Sequence, residues 1–128
     1  MKFKAGVIAL AFAGSAFAQT QGVSKNEIVI GTIQDLSGPV VSYSKPVVNG
    51  MRMRVEEINA EGGINGRKLK LVVEDSGYDP KKAVLAQQKL IERDKVFAML
   101  GTLGTPVVAA TMPLVLGKNM NHLFPLTG

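Results

Sequence analysis

The stretch from Glu56 to Leu69 constrains the fold of this chain more than any other, because two kinds of secondary structure meet in it. It reads EEINAEGGINGRKL. An amphipathic helix ends here, and Gly62 stands where a helix C-terminus favours a left-handed residue. Asn65-Gly66 then forms a second turn before a strand begins. A helix that passes through tight turns into a strand is typical of an α/β fold.

Residues 1–18 have the pattern of a secretory signal peptide. A positively charged start precedes a mostly apolar run, and Ala16-Phe17-Ala18 has the small-x-small form of a signal peptidase site. A membrane anchor is the alternative, but a spanning helix needs about 20 apolar residues and this run is shorter. We therefore expect cleavage after Ala18, and residues 19–26 then form a polar lead-in.

The chain contains no cysteine, which excludes a lipid anchor on a cysteine and any disulfide bond. Together with the signal peptide, this predicts a soluble protein of the bacterial periplasm. Secretion into the medium would give the same pattern. The formal net charge of +5 includes Lys2 and Lys4, so that cleavage lowers it by two.

The remaining charges are interleaved, as in the segment Lys89 to Lys95, rather than gathered into a basic stripe. With no tryptophan and few other aromatic residues, the sequence offers no platform for stacking bases. We expect no nucleic-acid partner.

Predicted strands alternate with predicted helices along the whole chain. The strands are residues 27–34, 68–74, 96–100 and 122–126, and the helices begin near Ser44, at Asp79-Pro80 and at Thr105-Pro106. Ser, Asp and Thr favour the N-cap position, and proline is tolerated in the first turn. Right-handed crossovers then predict one parallel sheet with helices on both faces, of undetermined strand order. No capping helix follows Leu126, so we expect the chain to be part of a longer protein.

These motifs, in this order, resemble those of the type I periplasmic binding proteins, the substrate-binding proteins of ABC transporters of the branched-chain amino-acid (leucine-binding) type. The matching pieces are IVIGTIQDLSGP (28–39), Tyr43, NGMRMRVEEINAEGGINGRKLKLVVED (49–75), DPKKAV (79–84), KLIERDKVFAMLGTLGTP (89–106) and FPLTG (124–128). They cover nearly all the mature chain but only about the first third of a typical member.

The resemblance implies that residues 27–128 form most of the first of two lobes, which close on a small ligand at the carboxyl ends of their strands. It implies a binding protein rather than an enzyme, with no cofactor. Its partners would be a small-molecule ligand, such as an amino acid or a related organic acid, and the membrane subunits of an ABC permease.

Two residues match ligand-binding positions of that family. Tyr43 matches an aromatic that lies against the ligand side chain, and Thr105 matches a ligand-binding hydroxyl. The simpler interpretations are that Tyr43 is an exposed or helix-packing residue and that Thr105 only caps its own helix. Weaker candidates in the same loops are Thr102, Leu103, Gly104 and Thr127. Asp35 is not expected to hold the ligand.

Some relatives carry a disulfide where this chain has Tyr78 and Gly104, so that bridge is absent. The loop around Thr105 also has fewer hydroxyls than the serine-rich loop of the family. Both departures leave the ligand undetermined among branched-chain amino acids, aromatic acids, amides and other small carboxylates.

Two other classes of function remain as alternatives. A ligand-sensing receptor domain of the same fold would continue into a transmembrane helix and a signalling domain. An α/β enzyme would need a nucleophile elbow or a triad, which the sequence lacks. His122 is the single histidine and is interpreted as structural, and the glycines near Gly62 are turns rather than a phosphate loop.

Overall fold

The computed structural model of the chain describes residues 20–127, and the predicted signal peptide at residues 1–18 lies outside them. The elements in chain order are β1 (Glu27–Gln34), α1 (Val41–Ala60), β2 (Lys68–Asp75), α2 (Pro80–Glu92), β3 (Ala98–Leu100), α3 (Thr105–Gly117) and β4 (Asn121–Leu123). The predicted alternation of strands and helices is confirmed. Across residues 20–127, no helix is both long enough and apolar enough to cross a membrane.

The four strands form one parallel sheet in the order β2-β1-β3-β4. β1 is central and pairs with β2 from Glu27↔Lys68 to Gln34↔Asp75. The chain moves from β1 to β2 in one direction and then crosses back to β3 and β4 in the other. Right-handed crossovers in opposite directions place α1 on one face of the sheet and α2 and α3 on the other. The predicted α/β class with helices on both faces is confirmed.

The main core lies between the sheet and the pair α2 and α3. Its buried members come from β1, α2, the segment before β3, β3 and α3: Ile33, Ala83, Ala86, Leu90, Val96, Met99, Val107 and Val115. The apolar face predicted for α2 is correct at Ala83 and Leu90, which are fully buried. This packing fixes the beginnings of α2 and α3 at the carboxyl edge of the sheet.

α1 begins earlier than the sequence predicts. Ser44 was predicted to be its N-cap, but the helix begins at Val41, and Ser44 is fully buried inside it. There its Oγ accepts a hydrogen bond of 3.0 Å from the backbone N–H of Asp35. The prediction was wrong because the hydroxyl serves the loop before the helix rather than the helix itself. Pro46 consequently lies within the helix and not in its first turn.

The turn after α1 has the structure that its glycines predict. Gly62 has a φ of +102° just past the end of the helix. Asn59 adds a link that the sequence analysis missed: its Nδ2 donates to the Leu69 carbonyl at 2.8 Å, and its Oδ1 accepts from the Leu69 N–H at 2.7 Å. The last turn of α1 is therefore bonded directly to β2.

The last two strands are shorter than predicted. β3 begins at Ala98 rather than Val96, and β4 ends at Leu123 rather than Leu126. Phe124 has a φ of +50°, which breaks the extended conformation of β4. Leu126 returns to the sheet through a single parallel bridge to Leu103.

His122 should make the stability of the chain depend on pH. Burial lowers its pKa below the usual 6.5, and neither ring nitrogen has a hydrogen-bond partner among residues 20–127. The folded state therefore favours the neutral imidazole. The contribution of His122 to the free energy of unfolding is fully present above about pH 6.5 and is lost as the pH falls through the folded pKa. We expect a lower urea midpoint at about pH 5 than at about pH 7. His122→Leu should flatten this dependence, and an unchanged slope in the variant would contradict the assignment.

Candidate ligand-binding site

A cavity of about 620 Å³ opens at the carboxyl edge of the sheet. It is lined by residues from all four segments that follow the strands: Val40, Tyr43, Val47, Tyr78, Leu103, Gly104, Thr105, Leu126 and Thr127. β1 and β3 are neighbours whose following helices lie on opposite faces, and this reversal is where open α/β sheets bind ligands. The volume suits a small organic molecule.

The segment after β1 is fixed by the buried carboxylate of Asp35. Oδ1 accepts from the backbone N–H groups of Ser37, at 3.3 Å, and of Gly38, and Oδ2 accepts from Val40 at 2.7 Å. These bonds set the path of the loop into α1 and so the position of Tyr43, whose side chain is 73% exposed. Both Asp35 oxygens are therefore engaged by the backbone of the loop.

A second carboxylate, that of Asp75, joins the loops after β1 and β2. Its Oδ1 accepts from the N–H groups of Leu36 and Gly77 at 2.8 and 2.9 Å, and its Oδ2 accepts from Ser37 Oγ at 2.6 Å. Burial raises the pKa of Asp75, but these hydrogen bonds and the charge of Lys82 outweigh it and hold the pKa below its usual value. The ionised form therefore stabilises this edge of the site.

The segment after β3 turns at Gly104, whose φ is +103°. Thr105 was predicted to be the N-cap of α3, but Gly104 occupies that position and Thr105 is the first helical residue. The prediction was wrong by one residue because glycine accepts the backbone conformation of the turn at no steric cost. Thr105 remains exposed at the helix N-terminus, where backbone N–H groups and the helix dipole favour an anion.

The segment after β4 is hydrogen-bonded to the segment after β3. Leu126 N donates to the Thr102 carbonyl, and Gly104 N donates to the Leu126 carbonyl, both at 2.9 Å. These bonds bring Thr127 to the wall of the cavity that Thr105 also lines. Gly128 lies outside the described residues.

All the predicted site residues except Thr102 line this cavity. Thr102 is fully buried behind it, and its Oγ1 has no hydrogen-bond partner within residues 20–127. The two main candidates line it from two helices, Tyr43 from the first turn of α1 and Thr105 from the first residue of α3.

Tyr78 is a lining residue that the sequence analysis did not propose. It follows β2 and has a φ of +61°, and its N–H donates to Ser76 Oγ at 3.1 Å. An aromatic residue in a loop at the ligand-facing edge is the same signal that selected Tyr43. Tyr78 shows that signal at a position where some relatives carry a disulfide cysteine.

Comparisons with known proteins identify the family of this chain. The periplasmic binding protein family matches residues 27–128. The Leu/Ile/Val-binding protein of Escherichia coli (strain K12) is 39% identical over 87 residues, which are 68% of this chain and 22% of that protein. The chain spans about a quarter of the length of the curated relatives it matches.

Two solved structures share the fold. The substrate-binding protein of a fatty acid ABC transporter from Thermomonospora curvata has a TM-score of 0.73 and 32% identity over 86% of this chain and 27% of its own. The substrate-binding protein of a branched-chain amino acid transporter from Streptococcus pneumoniae, in complex with isoleucine, has a TM-score of 0.74 and 26% identity. This similarity covers 80% of the present chain and 30% of the Streptococcus pneumoniae protein. Because the family matches nearly all of residues 20–127, the chain belongs to the periplasmic binding proteins, in the type I group that its motifs resemble.

Proposed function

We propose that the chain is part of the exported solute-binding component of an ABC transporter. It captures a branched-chain amino acid or a related small carboxylate and delivers it to the permease subunits in the membrane. The observation that carries the proposal is the cavity at the strand-order reversal, lined by Tyr43 and Thr105 in a member of this family. The names of the relatives, which include binders of branched-chain amino acids and of fatty acids, support a small carboxylate.

The two sides of the cavity suit the two ends of such a ligand. The N-terminus of α3 at Thr105 attracts a carboxylate through its backbone N–H groups and its dipole. Val40, Val47 and Leu103 offer apolar surface to the rest of the molecule. A ligand with a charged end and an apolar end would therefore contact both sides at once.

Export belongs to the same proposal. The signal peptide at residues 1–18 would direct the chain to the periplasm, where it would be soluble after cleavage at Ala18. Mass spectrometry of the protein secreted by a bacterial host tests this step, with a mature N-terminus at Gln19 as the expected result. A mature chain that still begins at Met1 would contradict it.

Ligand binding can be followed through tyrosine fluorescence. The sequence has two tyrosines and no tryptophan, and both tyrosines line the cavity. We expect branched-chain or aromatic amino acids to change this fluorescence, but only weakly for the 128-residue chain, because in this family a second lobe supplies the opposing contacts. Calorimetry should confirm the weak affinity. Sub-micromolar binding by the chain alone would contradict the need for a second lobe.

Thr105→Ala should weaken ligand binding in a protein that carries both lobes. The loss of one hydrogen bond to a carboxylate is expected to cost about 1–3 kcal/mol of binding free energy. Thr105→Ser keeps the hydroxyl and is the matched control, which should bind nearly as the parent does. Equal calorimetric affinities for the alanine and serine variants would show that Thr105 does not contact the ligand.

A further inference from the structure

The ring of Tyr78 lies directly against the backbone of Gly104. A β-carbon at position 104 would be 2.5 Å from Cε2 of that ring, 3.1 Å from Cδ2 and 3.2 Å from Cζ. Real β-carbons do not approach other atoms as closely as the first of these distances, so any larger residue at 104 would displace the ring. Gly104 thus lets an aromatic side chain cover the turn that begins α3.

The backbone behind this ring is held from two sides. Tyr78 N donates to Ser76 Oγ at 3.1 Å, and Ser76, which is fully buried, donates through the same hydroxyl to the Gln34 carbonyl at 3.2 Å. On the other side, the Asp79 carboxylate caps α2 by accepting from the N–H groups of Lys81 and Lys82. Tyr78 therefore belongs to a bonded turn between β2 and α2 rather than to a free loop.

The position of the ring places it in the cavity wall. Tyr78 follows β2, and Tyr43 lies in the first turn of α1, which follows the adjacent strand β1. Both line the same cavity with the apolar side chains of Val40 and Leu103. A ligand that fills this space must contact the wall containing Tyr78. Aromatic pairs attract each other through their ring quadrupoles, in addition to the apolar area they bury. An aliphatic side chain of similar size gains only the area.

We propose, building on the proposed function, that Tyr78 is a specificity-determining residue of this cleft. Its contact with Gly104 presents an aromatic surface that selects amino acids and carboxylates with an aromatic ring over branched aliphatic ones. Ring-on-ring contact should favour the aromatic ligand by roughly threefold to tenfold in dissociation constant.

The test compares L-phenylalanine with L-leucine, which share a head group and differ in the side chain. Tyr43→Phe leaves Tyr78 as the only tyrosine, so labelled tyrosine ring signals in an NMR titration of the whole chain report on Tyr78 alone. We expect phenylalanine to shift these signals with a dissociation constant roughly threefold to tenfold below that of leucine. Tyr78→Leu, with Tyr43 retained, should bring the two constants together, whereas Tyr78→Phe should keep them apart.

Equal affinities for the two amino acids, or a preference that persists in Tyr78→Leu, would overturn the role of Tyr78 while leaving the proposed function standing. Absence of any shift at Tyr78 and at the Thr105 amide with either ligand would overturn the proposed function and this selectivity together. If Tyr78→Leu does not fold, the ratio of the two constants and the Tyr78 shifts in the Tyr43→Phe chain still decide the question.

Discussion

Replacement of Asp35 by alanine should destabilise the chain by about 3 kcal/mol. The carboxylate is fully buried and accepts hydrogen bonds from the backbone of Ser37, Gly38 and Val40. Hydrogen bonds to a charged group are stronger than neutral ones, and removal of their shared acceptor leaves several amides without a partner. Since the same bonds direct the loop into α1, Tyr43 should also lose its fixed position.

Urea unfolding of Asp35→Ala measures the loss of stability. Glu56→Ala is the matched control, because Glu56 is an exposed acid on α1, and its removal should change the free energy of unfolding by less than about 0.5 kcal/mol. A loss below about 1 kcal/mol for Asp35→Ala would mean that water replaces the carboxylate at little cost. In that case Asp35 would not be the residue that shapes this side of the cleft.

The sequence predicted the elements whose signals are local. Asp79-Pro80 marks the start of α2 correctly because the aspartate caps the helix that follows it directly. The start of α1 was predicted wrongly because Ser44 is used by Asp35, a residue outside the helix. Such a bond is decided by tertiary packing, and no spacing rule along the helix reveals it.

In the candidate site, too, residues marked by a local motif could be predicted, and those that depend on tertiary contacts could not be placed. Tyr43 and Thr105 stand in motifs that resemble a known family, so they could be named in advance. Tyr78 stands outside those motifs, so its loop position was its only signal, and its place in the wall becomes evident only from contact with Gly104 after a different strand. The strand order β2-β1-β3-β4, which places the cavity at the reversal, likewise depends on pairing between distant segments.

Gly63→Ala should destabilise the chain by about 3 kcal/mol or more, the second large effect that we expect. Gly63 has a φ of +78°, and a β-carbon there would lie 2.1 Å from the carbonyl oxygen of Arg67. Backbone cannot rotate away as a side chain does, so the turn between α1 and β2 must open. The Ile64–Arg67 bridge, with hydrogen bonds of 2.8 and 3.0 Å, lies inside that turn and should be lost.

Two neighbouring glycines separate the steric clash from the cost of a positive φ. Gly62 and Gly66 have φ values of +102° and +77°, but a β-carbon at either would meet nothing within 4 Å. Gly62→Ala and Gly66→Ala should therefore cost only about 1–2 kcal/mol each, the usual penalty for a left-handed alanine. Equal urea midpoints for all three variants would contradict the clash at Gly63. A distinctly lower midpoint for Gly63→Ala would show that this turn tolerates no side chain where the backbone of the returning strand passes closest.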